Sequence, residues 1–280
     1  MEAVLLGIIQ GLTEFLPISS TAHLTLSGKL LGIVDAHPPE AWTAFIAVMQ
    51  LGTLAAVLLY FRREIAAMTM ALLRDVPANG GGKGFKGYSA ESRMAVFIIL
   101  GTVPVALLGY AGKHVIEGAL TKTTMVIVAS LVTLAVLLWV AEKVSRRVRT
   151  IEGVTWRDAL VIGTAQALAL IPGSSRSGTT LTAALLLGFT REAAARFSFL
   201  LSIPAVFASG VYEMTKISGM LDLGAANLVA ATVVSGITGY AAIAWLLRFL
   251  IRNTTMVFVW YRIVLGLLLT LLVLQGVLNP

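Results

Sequence analysis

Two short stretches hold most of the chemistry this sequence could do. The first, QGLTEFLPISSTAH at 10–23, carries Gln10, Glu14, Ser19, Ser20, Thr21 and His23. The second, IPGSSRSGTT at 171–180, sets one cation, Arg176, among the hydroxyls of Ser174, Ser175, Ser177, Thr179 and Thr180. Gln10 and Glu14 are four apart, so a helix would place them on one face. Brought together, a carboxylate, an imidazole, a guanidinium and several hydroxyls suit a phosphate ester or anhydride. A guanidinium is a fixed fork of donors that matches phosphate oxygens. Backbone N–H groups at a helix start, here just after Pro172-Gly173, hold an anion without further charge. Phosphoryl transfer asks mainly for charge stabilisation and an attacking oxygen held in line. It also needs a base or nucleophile and an acid, which Glu14, Ser20 and His23 offer. Whether Ser20, His23 or a water attacks is open at this level.

Plainer roles compete with each of these. Arg176 could be a structural cation tied to backbone carbonyls, Glu14 a buried protonated carboxyl, and His23 a ring that merely satisfies its helix. Serines and threonines commonly cap helices or join them within membranes. A charge at membrane depth, however, costs at least about 2.5–3.5 kcal/mol, and five hydroxyls add nothing to a structural cation. The site is therefore expected to bring the side chains of Glu14 and Arg176 together. Arg262, next to Tyr261 near the start of the last apolar segment, reads as a structural or interfacial anchor, and Lys29 as a side chain that snorkels outward.

The rest of the chain must position these residues inside a membrane. Of 280 residues, 58% are hydrophobic and 12% charged, against about 25% charged in a soluble domain; the mean hydropathy is +0.89. Windows near 42–61, 94–112, 123–142, 193–212, 226–247 and 255–278 are long enough to cross a bilayer core, which takes about 20 residues. All five tryptophans fall near the ends of apolar segments, where interfacial anchors belong. The Met-Glu start lacks the basic region of a signal peptide. With no cysteine there is no disulfide or thiolate chemistry. A net charge of +7 points to anionic headgroups and an orientation signal, not to nucleic acid.

Two further apolar regions are interrupted, 3–33 at Pro17 and 159–189 at Pro172-Gly173. Their pieces are too short to span alone, and polar breaks at membrane depth need protein or a water-filled cavity around them. Both read as re-entrant helical hairpins. The two regions match each other: Gly7 and Gln10 pair with Gly163 and Gln166, and Leu31-Gly32 with Leu187-Gly188, at an offset of 156. Pro17, Ser19 and Ser20 pair with Pro172, Ser174 and Ser175 at 155. The expected fold is an all-α integral membrane domain of six transmembrane helices and two re-entrant hairpins. Each half, 1–150 and 151–280, holds one hairpin and three spans. An odd number of crossings inverts the second half, and such inverted-topology repeats place sites from broken helices near mid-membrane. With alternating loops, those at 62–93, 143–157, 190–196 and 248–254 hold 15 of the 21 Lys and Arg. The positive-inside rule then puts them in the cytoplasm, with the first hairpin and both termini outside. NGGGKG (79–84) lacks the full phosphate-loop pattern and reads as a linker.

Gln10-Gly-Leu-Thr-Glu14, His23 and Pro172-Gly-Ser-Ser-Arg-Ser-Gly-Thr-Thr180 resemble the two signatures, (E/Q)xxxE and PGxSRSxxT, of the undecaprenyl-diphosphatase, or bacitracin-resistance protein, family. The resemblance spans essentially the whole chain. It implies an enzyme of the cell membrane that removes the terminal phosphate of a polyprenyl diphosphate. The lipid carrier is thereby recycled for cell-wall synthesis, and bacitracin finds fewer targets. It also implies a pocket open to the outer face and stimulation by a divalent cation, Mg2+ or Ca2+. By position, Glu14, Ser20, His23 and Arg176 are the catalytic core, with Gln10, Ser19, Thr21, Ser174, Ser175, Ser177 and Thr180 around the substrate. Position 10 is Gln where some members have Glu, so a metal is expected on Glu14 with substrate oxygens and waters. Partners are the prenyl diphosphate and membrane lipids; a homodimer is compatible with the sequence and not fixed by it. The competing reading is a secondary transporter or flippase of an anionic lipid, which would not require the carboxylate–imidazole–hydroxyl set.

Overall fold

The computed structural model describes residues 1–36, 39–79, 87–112, 123–214 and 224–279. The Gly-rich linker at 80–84 and the connections 113–122 and 215–223 lie outside the described residues. Among the described residues the regular elements are helices, with one isolated parallel β-bridge between Arg149 and Phe189. In order run α1 (Glu2–Phe15), α2 (Ser20–Leu30), the single turn α3 (Ile33–Ala36), α4 (Pro39–Tyr60), α5 (Arg62–Asn79), α6 (Ala90–Ala111) and α7 (Thr124–Val144). Then follow α8 (Trp156–Ala167), α9 (Arg176–Leu186), α10 (Arg191–Met214), α11 (Ala225–Arg252) and α12 (Met256–Leu274). Among these, α4, α6, α7, α10, α11 and α12 are long and apolar enough to cross a bilayer. They coincide with the six windows, and the chain is a multi-pass membrane protein.

Three local expectations change. The segment after Phe61, read as a connection, begins with the helix α5. Its buried positions Met68, Ala71 and Asp75 recur at helical spacing. Asp75 accepts from the hydroxyl (2.6 Å) and backbone N–H (2.8 Å) of Ser89 and from the Ser92 hydroxyl (2.8 Å). Those bonds, the Ser89 hydroxyl first, hold its carboxyl well below the usual range and tie α5 to α6. Trp42 is no interfacial anchor: it is buried and stacks on Phe45 at 5.8 Å. Lys29 does not snorkel freely but donates to Thr124 at 3.1 Å.

The short helices flank both breaks. Helices α1, α2, α8 and α9 have 14, 11, 12 and 11 residues. At 1.5 Å per residue each falls short of the roughly 30 Å core. The backbone repeats itself across the two breaks. Ser19 and Ser175 both take positive φ, 74° and 68°, a left-handed conformation uncommon for a side chain with Cβ. Each serine hydroxyl then caps its helix, accepting from Ala22 N (3.3 Å) and Gly178 N (3.2 Å) respectively. Gly32 and Gly188 end the same two helices at φ 70° and 86°. All these pairs share the offset 156, so the serine match at 155 is corrected by one residue. Backbone conformation decides the pairing, and it makes Ser20 and Arg176 equivalent first residues of α2 and α9.

Close helix contacts bring the breaks together. Helix α1 packs on α11, and α8 on α6. A Cβ at Gly7 would lie 2.5 Å from Ala231 O, and one at Gly163 1.9 Å from Gly101 O, so backbone touches backbone at both crossings. Arg262 on α12 completes the junction. Only 1% exposed, it donates through Nε to Leu131 O (3.1 Å) and through Nη1 to Pro17 O (3.2 Å). Its Nη2 donates to Ser130 O, Gly173 O and Ser174 O at 3.3, 3.1 and 3.2 Å. One guanidinium thus holds a carbonyl of the first break, two of the second and two of α7. The structural half of its anchor reading stands; the interfacial half does not.

Two stability outcomes follow. Gly163→Ala should lower the thermal midpoint in detergent by overpacking, about 1–3 kcal/mol, whereas Gly153→Ala, with nothing within 4 Å of its Cβ, should leave it unchanged. Arg262→Met removes the donor from five buried carbonyls, at about 1–3 kcal/mol for each left unsatisfied. Size-exclusion chromatography should then show loss of the monodisperse protein.

Candidate active site

Glu14 ends the buried face of α1, a turn beyond Gln10, and is 6% exposed. Three donors converge on its carboxylate. Gln10 Nε2 and Ser20 Oγ each donate to Oε2 at 2.8 Å. Arg176 Nη2 donates to Oε1 at 2.8 Å. Residues 162 apart in sequence therefore share one ion pair. The hydroxyl and guanidinium donors come from the first residues of α2 and α9, so the two helix N-termini lie beside Glu14.

The second break is bolted to the first by Ser177, whose hydroxyl donates to Leu16 O at 3.0 Å and lies 3.2 Å from Ser175 Oγ. Ser19 and Ser175 serve as caps, as described above. Ser174 is buried and gives its carbonyl to Arg262. Thr180 is buried away from Glu14: its hydroxyl meets Arg176 O (2.8 Å) and Ser198 Oγ (2.5 Å). Thr21, half-buried in the first turn of α2, makes no hydrogen bond with the cluster.

His23 stands apart from the carboxylate. Its Nδ1 lies 2.7 Å from Ser19 O and its Nε2 2.6 Å from the Tyr261 hydroxyl. The structure thus joins Gln10, Glu14, Ser20 and Arg176 directly, places Ser175 and Ser177 beside them, and leaves His23 and Thr180 engaged elsewhere. Sequence reasoning named Tyr261 only as the neighbour of Arg262 and gave Arg262 too small a part. The signal was present for Arg262: like Arg176 it is a permanent cation inside an apolar helix, and the same cost argument applies to it.

Two buried polar atoms in the cluster have no partner: Arg176 Nη1 and Gln10 Oε1. The first is a cationic donor, the second a neutral oxygen acceptor. An arriving phosphate oxygen would satisfy the first. A hard cation, a water or a protonated phosphate oxygen would satisfy the second. Among the described residues no group of three or more His, Asp or Glu side chains gathers as a metal cage. Glu14 is the one carboxylate of the cluster, so any metal here would rest on it, on Gln10 Oε1 and on oxygens from outside the protein.

Comparison with known proteins identifies the family. Residues 3–268 match the family model of the bacitracin resistance protein BacA. A protein of Syntrophobacter fumaroxidans named undecaprenyl-diphosphatase is 54% identical over 270 residues, 95% of this chain and 94% of its own length. Proteins of the same name from Myxococcus xanthus and Chloroherpeton thalassium are 48% and 47% identical, over 100% and 99% of this chain and 91% and 97% of theirs. On the breadth of that match, the chain belongs to the bacitracin resistance protein BacA family.

Proposed function

We propose that this protein hydrolyses undecaprenyl diphosphate to the monophosphate and inorganic phosphate, returning the lipid carrier to cell-wall synthesis and so lowering sensitivity to bacitracin. The observation that carries the reading is the Arg176–Glu14–Ser20 contact, a base with a cation on one oxygen and a hydroxyl on the other. Its family membership points the same way. Apolar helix faces would accommodate the prenyl tail while the diphosphate enters the polar cluster.

In the mechanism, Arg176 turns its unpartnered Nη1 to the terminal phosphate, and the N-termini of α2 and α9 add backbone donors. Ser20, or a water in its place, attacks the terminal phosphorus in line. Glu14 takes the attacking proton, the nucleophile–base geometry already present at 2.8 Å. The bridging oxygen departs with the α-phosphate of the lipid. That proton leaves Glu14 with the departing lipid phosphate; if Ser20 attacked, Glu14 then takes a proton from the water that cleaves the phosphoserine and returns it to Ser20 Oγ. His23, three residues beyond Ser20 on α2, is a further acid–base group outside the Glu14 hydrogen bonds. A divalent cation, Mg2+ or Ca2+, fits Glu14 and the orphaned Gln10 oxygen and would neutralise charge on the diphosphate. All of these groups come from one chain, so the chemistry does not call for a second copy.

The same reading takes α1–α2 and α8–α9 as re-entrant hairpins in two inverted halves, 1–150 and 151–280. What supports it is the recurrence of backbone and packing at the offset 156 and the length of the four helices. The distribution of Lys and Arg supports a plasma-membrane orientation with the site open to the outer face.

Purified protein given prenyl diphosphate should release phosphate. Glu14→Gln and Ser20→Ala should each cut the rate at least about 100-fold, with the detergent-solubilised fold retained for Ser20→Ala. A wild type that moves the lipid across liposomes yet releases no phosphate would assign the site to transport instead. Chelation should lower the rate and added Mg2+ or Ca2+ should restore it. Gln10→Glu, by adding a second carboxylate, should reduce the metal concentration giving half-maximal rate by about tenfold.

A further inference from the structure

Both nitrogens of His23 are committed. Ser19 O can only accept, so the Nδ1 atom 2.7 Å away carries a proton. In the neutral ring Nε2 then carries the lone pair, and the Tyr261 hydroxyl at 2.6 Å donates to it. The two rings lie within 13° of parallel, with centroids 5.6 Å apart. Two contacts on opposite edges of the imidazole thus define its tautomer and its plane. They come from different places: Ser19 is the positive-φ cap of α2, one residue before Ser20, while Tyr261 immediately precedes Arg262, the residue that clamps both breaks.

From this geometry we infer that Tyr261 is a positioning residue for the reaction, holding His23 as the Nδ1–H tautomer and fixing the place of its basic Nε2, which takes up a substrate-borne proton once the Tyr261 hydroxyl gives way. The inference rests on the phosphatase reading. Tyr261 is 44% exposed on the flank of α12, so its ring is not a core-filling group. Its hydroxyl meets the one histidine of the first motif, on the turn of α2 that follows Ser20. Without that hydroxyl the Ser19 contact still selects the Nδ1 proton, but nothing fixes the rotation of the ring or keeps Nε2 from turning to another donor. A substrate phosphate entering beside Ser20 would then meet an unaligned imidazole.

Tyr261→Phe keeps the ring against His23 and removes only the hydroxyl. Phosphate release should show kcat lowered about tenfold or more, with KM within about twofold and an unchanged thermal midpoint. In a His23→Ala background the same substitution should cost nothing further, because the two residues act as one unit. Nitrogen-15 NMR of histidine-labelled wild type should show His23 as a single Nδ1–H tautomer whose Nε2 carries the shift of a hydrogen-bonded acceptor; the Phe variant should keep the tautomer and lose that Nε2 shift. The proposal is overturned by wild-type kcat in Tyr261→Phe, by an equal loss in the His23→Ala background, or by mixed tautomers in the wild type. The last readout needs no variant to fold. A wild type that releases no phosphate would sink the phosphatase reading, while the Nε2 shift would still report on the Tyr261 contact.

Discussion

A carboxylate among apolar helices must be protonated, paired or hydrogen-bonded, since burial of a bare charge is prohibitive. Glu14 is paired and bonded at once: Arg176 on one oxygen, Gln10 and Ser20 on the other. The rest of the architecture answers to this requirement. The amide lies one turn back on the same helix and comes without further cost. The hydroxyl needs the chain to break and restart, so that Ser20 can face the end of α1. The guanidinium needs a second break from the far half of the sequence within side-chain reach. Removing either charged partner would strand the other, which in buried pairs costs about 3–5 kcal/mol.

Two arginines show how the same expense serves two ends. Arg262 gives its donors to backbone carbonyls and, among the described residues, has no carboxylate partner within salt-bridge distance. It is a rivet, and the role first weighed for Arg176 belongs to it. Arg176 keeps one nitrogen on Glu14 and leaves the other buried and unpaired. A buried cationic donor without an acceptor is unfavourable at rest, and it is the condition in which an incoming phosphate oxygen binds most strongly.

Much of this was legible in the residues. Six apolar windows anticipated six long helices, because span length is dictated by bilayer thickness alone. Pro17 and Pro172-Gly173 announced the breaks, since neither proline nor glycine continues a helix comfortably. That Glu14 and Arg176 would meet followed from charge cost. What the sequence left open was direction. Nothing in the letters says which way an imidazole turns, so His23 read as a member of the Glu14 set although its two nitrogens face Ser19 and Tyr261. Helix α5 escaped notice because its apolar stripe is thin and its charges dominate. The register of the two breaks was misread by one residue because the matching serines are neighbours in each motif, and only φ distinguishes the cap from the residue beside it.

That distinction explains why a serine, and not a glycine, stands at the left-handed position of both breaks. A left-handed non-glycine residue costs about 1–3 kcal/mol, which glycine would avoid. Glycine, however, has no hydroxyl to cap the helix that follows; its loss as a cap is only a few tenths of a kcal/mol, so stability alone does not account for serine. The cap does something glycine cannot: by accepting from the backbone N–H of the residue three ahead, it fixes the first turn of α2 and of α9. The residues locked at the start of those turns are Ser20 and Arg176, the two that must reach Glu14 from opposite sides. Backbone strain at two serines thus sets the aim of the hydroxyl and the guanidinium on which the chemistry depends.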